Sequence, residues 1–129
     1  MDYFKEAFGG FHPLFDQDAA LKLALDVIFA DHRLDDLISV ISFEERVAGI
    51  GGEPGWIIEH REEFDEGWPQ GSTFRSFVEP EVYPMENPEF YCDDKTFRRY
   101  VEAIANVYEV RHPERKQDLD RLKAALSGL

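Results

Sequence analysis

Residues 49–60 read Gly49-Ile50-Gly51-Gly52-Glu53-Pro54-Gly55-Trp56-Ile57-Ile58-Glu59-His60. Four glycines and a proline within seven residues break any helix that approaches them, and the character of the chain changes across them. Trp56 to Glu59 reads as a short strand. Beyond it Thr73, Phe74, Phe77, Val78, Val82 and Tyr83 are β-prone and are bounded by Pro69, Gly71 and Pro84. Phe90 to Cys92 reads as a further strand. These pieces suit a small antiparallel sheet or a two-stranded ribbon.

The residues before the break are patterned for helices. Asp2 to Phe8 suits a short helix stopped by Gly9-Gly10. Asp16 or Asp18 is placed to cap a second helix that runs to about Asp31, with Leu21, Leu25, Ile28 and Phe29 at helical spacing. Leu23, Ala24 and Val27 make this helix apolar nearly all round, which predicts burial on several sides. Leu34, Leu37, Ile38 and Ile41 continue a helical face. Ser42 with Glu45 matches a capping box, which predicts one more short helix from Phe43 to about Ala48.

After the strands the helical period returns. Asp93 or Asp94 caps a strong helix in which Phe97, Tyr100, Val101, Ile104 and Tyr108 form one apolar stripe. Pro113 opens the last helix, where its missing N–H is harmless. Leu119, Leu122, Ala125 and Leu126 give that helix its buried face, and Gly128 ends it. N-terminal helices, a small antiparallel sheet in the middle and two C-terminal helices make an α+β fold, expected as a single domain over residues 1–129.

The chain of 129 residues is long enough to bury a core without staples, and its eleven Phe, five Tyr and two Trp supply large buried areas. A lone cysteine, Cys92, cannot form an internal disulfide. Met1 to Gly10 contain no apolar core of the signal-peptide kind. The longest apolar stretch, Leu23 to Ala30, is broken by Asp26 and is too short to cross a bilayer. The expected compartment is the cytoplasm.

Catalytic and cofactor patterns are weak. A phosphate loop needs Lys-Ser/Thr after its glycines, but Glu53-Pro54 stands in the glycine-rich segment and Glu53 repels phosphate. His12, His32, His60 and His112 are scattered, and Glu59-His60-Arg61-Glu62-Glu63 lacks the paired histidines of a zinc protease. Asp16-Gln17-Asp18 opens like a calcium loop, but Val27 stands where a bidentate glutamate is needed. Tyr91-Cys92-Asp93-Asp94 has the form of the Tyr-x-Asp-Asp motif that holds two metals, yet Asp93-Asp94 suits a helix cap better. Cys92 reads as a buried thiol rather than a nucleophile. No metal, no cofactor and no catalysis are therefore expected.

Charge is the stronger signal. The net charge is −13, which repels nucleic acid and anionic membrane and favours a basic partner. Residues 59–94 hold 11 acids against Arg61 and Arg75, a net of −9, whereas residues 95–129 hold 5 acids and 8 bases, a net of +3. The C-terminal arginines are candidates to answer part of this acidic belt. The belt interleaves acids with exposed-looking aromatics: Trp56, Phe64, Trp68, Tyr83, Phe90 and Tyr91. Aromatic residues anchor interfaces and acids around them steer a basic partner. The expected partner-binding residues are Glu59, Glu62, Glu63, Asp65, Glu66, Trp68, Glu79, Glu81, Tyr83, Glu86 and Glu89.

Such a domain resembles the bacterial immunity proteins of contact-dependent growth inhibition and related polymorphic toxin systems. The resemblance rests on Trp56-Ile57-Ile58-Glu59 through Phe90-Tyr91-Cys92-Asp93-Asp94-Lys95-Thr96-Phe97, into the helix ending near Tyr108. It implies a cognate, basic, nuclease-type toxin domain that the chain binds and neutralises. A protein-binding adaptor outside a toxin system, or a small carboxylate-metal enzyme using Asp93, Asp94 and belt glutamates, are the alternatives.

Overall fold

The computed structural model describes residues 2–49 and 55–129. Helices α1 (Phe4–Phe8), α2 (Ala19–Ala30) and α3 (Leu34–Ile41) precede strands β1 (Val47–Ala48), β2 (Trp56–His60), β3 (Phe74–Val78) and β4 (Glu89–Cys92). Helix α4 (Asp94–Arg111), a single 3-10 turn (Pro113–Arg115) and α5 (Lys116–Ser127) complete the chain. The fold is α+β, as the pattern of the sequence predicts. The sheet is an antiparallel meander in the order β1-β2-β3-β4.

The helices lie on one face of the sheet. Because strand side chains alternate, the register puts Trp56, Ile58 and His60 of β2 beside Val78, Ser76 and Phe74 of β3 on the inner face. All six are buried. Helix α2 packs across β2, β3 and β4, and nine of its 12 residues are buried. Its near-continuous apolar surface is thus matched by neighbours on several sides. Phe97 of α4 stacks on Phe74, with centroids 3.9 Å apart and planes within 9°. Helix α5 closes the far side, burying Leu119, Leu122 and Leu126 and packing on α3 and α4.

The helix ends follow local chemistry. Gly9 stops α1 in the left-handed conformation at φ 77°. Asp93 caps α4, accepting the Thr96 N–H at 2.8 Å. Asp18 occupies the N-cap of α2 but makes no capping bond. It accepts the Tyr100 hydroxyl instead, while Asp16 holds the Lys22 ammonium at 3.0 Å. Lys22 is itself buried and also reaches the Gly10 carbonyl at 3.2 Å. These polar ties fasten the α1–α2 connection to α2 and α4.

Three local expectations are corrected. No helix runs from Phe43 to Ala48. Ser42 instead ends α3 by donating to the Ile38 carbonyl, Phe43 turns left-handed at φ 60°, and Val47–Ala48 pair with Glu59 and Ile58 as β1. Val82 and Tyr83 are not in a strand: both N–H groups turn back to the Glu79 carbonyl, at 3.0 and 2.9 Å. Pro80, with no N–H to give to a ladder, stands at the start of that turn. Trp56 is not surface-exposed but 1% accessible, at the centre of the core. Gly49 explains part of that packing, because a Cβ there would lie 2.5 Å from the Trp56 carbonyl oxygen.

Residues 50–54 of the glycine-rich segment, weighed above as a phosphate loop, lie outside the described residues. No helix among the described residues is long and apolar enough to cross a membrane.

Candidate interaction face

No helix among the described residues covers the outer face of the sheet. The same alternation that buries Trp56, Ile58 and Phe74 turns Ile57 and Glu59 of β2, Arg75 and Phe77 of β3, and Glu89 and Tyr91 of β4 outward. Val47, Glu59, Arg75 and Tyr91 stand in one cross-strand row, and Ile57, Phe77 and Glu89 in the next. Ile57, Phe77 and Tyr91 are half-buried, so their apolar surface is partly open to solvent.

A charge network runs through the middle of this face. Arg75 reaches Glu59 Oε1 at 3.3 Å and Glu89 Oε2 at 2.7 Å. Its guanidinium also lies 5.1 Å from the Phe77 ring centroid and 6.0 Å from that of Tyr91. Burial alone would lower the Arg75 pKa, but the Glu89 hydrogen bond and the charges of Glu89 and Glu59 hold it above its ordinary value. Arg46 adds a second cation, 3.9 Å from Glu59 and 3.5 Å from Asp65. Glu59 is buried between these two arginines. It therefore organises the face rather than projecting from it.

The β2–β3 connection folds an aromatic ring onto the same surface. Trp68 meets Tyr91 edge to face, with centroids 5.2 Å apart. Asp65 staples this loop by accepting the Glu62 N–H at 2.9 Å. Glu62, Glu63, Phe64 and Glu66 are exposed around it, and Phe64 is 88% accessible.

The acidic belt is continuous in sequence but divided in space. Glu62, Glu63, Asp65, Glu66 and Trp68 lie at the end of the sheet reached by His60 and Phe74. Glu79, Glu81, Tyr83 and Glu86 lie at the opposite end, between Val78 and Glu89, where Glu79 N–H donates to the Gly55 carbonyl at 2.7 Å and Glu86 N–H to the Pro13 carbonyl at 3.0 Å. A strand of five residues separates the two groups by about 16 Å. Of the expected partner-binding residues, the fold links Glu59 and Glu89 through Arg75 and sets Trp68 on Tyr91 beside the 62–66 loop, while Glu79, Glu81, Tyr83 and Glu86 stay at the end of the sheet where Glu89 begins β4.

Three of the C-terminal cations are engaged elsewhere than on the belt. Arg111 pairs with Glu6 at 2.5 Å, Arg121 with Asp35 at 2.8 Å and Lys123 with Glu109 at 2.9 Å. Arg46 pairs with Glu59 and Asp65 of the belt, and Arg75 with Glu59 and Glu89. Ile57, Phe77 and Arg75, which build the middle of the face, are missing from the sequence-derived set. The alternation in Phe74-Arg75-Ser76-Phe77-Val78 carries the signal that Arg75 and Phe77 share a side of β3.

The motif Tyr91-Cys92-Asp93-Asp94 does not assemble a carboxylate pair. Asp93 caps α4, and Asp94 accepts the Thr73 hydroxyl at 2.5 Å. Among the described residues, no three His, Cys, Asp or Glu side chains are grouped to hold a metal ion. Cys92 is buried, and that burial, helped by Asp93 and Asp94, pushes its thiol up to about 12. Thiolate is the reactive form. At pH 8 the native thiol is expected to react with Ellman's reagent on the order of a thousandfold more slowly than in denaturant, which the absorbance at 412 nm measures directly.

Compared with protein-family models, with curated proteins and with solved structures, the chain matches none.

Proposed function

We propose that the chain is a cytoplasmic binding protein, not an enzyme, whose outer sheet face captures a basic protein partner. We identify that partner as a bacterial toxin domain that the chain neutralises, which makes the chain an immunity protein. The carrying observation is the helix-free face on which Ile57, Phe77, Tyr91 and Trp68 surround the Glu59–Arg75–Glu89 network. Partly open aromatic surface gives a partner something to bury. The exposed acids of the 62–66 loop give it a charge to approach. An acidic surface of this kind also competes with the nucleic-acid backbone for a nuclease's cationic site.

The test is capture of the tagged chain's partner from its native host at low and at moderate salt. A stoichiometric basic toxin domain, released as salt rises, supports the reading. A housekeeping partner moves it to an adaptor, and a toxin gene directly upstream of this one separates the two independently. Phe77→Ala, which removes a half-buried ring from the outer face, is expected to weaken capture about 10- to 30-fold by calorimetry without loss of fold. Unchanged affinity would exclude the face as the contact surface.

A further inference from the structure

We infer that the partner's contact segment docks as a fifth strand on the outer edge of β4, in an extended and basic conformation; this rests on the basic-partner reading above. Strand β4 ends the sheet order. Val78 N–H donates to the Pro88 carbonyl at 2.8 Å. Antiparallel alternation then directs the main-chain groups of Phe90 and Cys92 towards β3, opposite Ser76 and Phe74, and turns those of Glu89 and Tyr91 outward. No loop or helix among the described residues supplies these outward groups with a partner.

The side chains beside this edge suit an added strand. Tyr91 and the Trp68 ring flank its outer side. Phe90, half-buried with its ring 6.2 Å from that of Tyr100, flanks the inner side. Alternate residues of an incoming strand would meet these two surfaces in turn, while the main chain supplies the hydrogen bonds.

Charge selects the occupant. Free edges are commonly guarded by charged side chains, lysine above all; residues 79–94 contain no Lys or Arg, and Glu86, Asp93 and the Arg75-paired Glu89 border the edge. A second copy of this chain would set these acids against their own kind. A lysine-bearing strand meets opposite charge.

The probe is a nine-residue peptide alternating Lys with Val and Thr, compared with its analogue N-methylated at every second residue. Amide shifts and slowed hydrogen exchange are expected at Glu89 and Tyr91, with affinity at least about 10-fold lower for the N-methylated peptide. Tyr91→Pro removes an N–H that β3 does not use, so it is expected to fold like Tyr91→Ala yet bind the peptide at least about 10-fold more weakly. The peptide comparison still decides the matter if the proline variant does not fold. Equal binding of both peptides, or perturbation confined to the 62–66 and 79–86 loops, overturns the edge and leaves the basic-partner reading standing. Dimerisation through β4 in sedimentation also overturns it. Absence of any salt-dependent binding of the peptide overturns both.

Discussion

Phe74→Ala is expected to destabilise the protein by roughly 3–5 kcal/mol, the range for removing a buried aromatic ring, which is a large share of the 5–15 kcal/mol that holds a typical domain together. Phe74 is fully buried and stacks on Phe97. It sits between His60 of β2 and Cys92 of β4 in the register, on a strand against which α2 packs. Its ring thus lies where three strands meet α4. Phe74→Leu retains most of the volume and is expected to cost less than half as much. Urea titrations followed by far-UV circular dichroism and by the fluorescence of Trp56 and Trp68 measure both. The two tryptophans report different regions, one in the core and one on the outer face. Coincident transitions would therefore also establish that face and core unfold as one unit. A cost under about 1 kcal/mol for the alanine variant would contradict the packing described for the sheet.

The parts of the fold that were legible in the sequence are those set by local spacing. The apolar stripe Phe97, Val101, Ile104, Tyr108 and the Asp93 cap define α4 within one stretch of chain, and the same is true of Gly9 at the end of α1. The misread parts are those that a distant segment decides. Ser42 and Glu45 satisfy a capping pattern, but Val47 and Ala48 gain hydrogen-bonded neighbours in β2 and are drawn into the sheet. Trp56 stands among acids and glycines in the chain, but its strand position turns it inward beneath the helices. The candidate face was half legible for the same reason. Glu59, Trp68 and Glu89 stand out by composition. Ile57 and Phe77 become a surface only once the register of β2 against β3 is known and the helices are seen to occupy the other side. Hairpins also separate acids that are neighbours in sequence, so a belt counted along the chain becomes two clusters.

That division allows local electrostatic steering to be separated from the effect of total charge. Glu62→Lys, Glu63→Lys and Glu66→Lys together change the net charge from −13 to −7, and so do Glu79→Lys, Glu81→Lys and Glu86→Lys. Asp65 is left in place because it staples its loop through Glu62 N–H and pairs with Arg46. The two triple variants therefore carry the same global field but alter opposite ends of the sheet, about 16 Å apart, which is twice the screening length of about 8 Å at physiological salt. If a basic partner approaches the face where Trp68 packs on Tyr91, the first triple is expected to slow association about 10-fold or more and to flatten its salt dependence. The second is expected to slow it less than about threefold, and dissociation should change little in either because these side chains are exposed at the rim. Stopped-flow association with the captured partner at two salt concentrations measures the contrast. Equal slowing by both triples would assign the steering to total charge, with no preferred end of the sheet. No slowing by either would remove the acidic surface from recognition altogether and leave Ile57, Phe77 and Tyr91 as an apolar surface with no electrostatic approach.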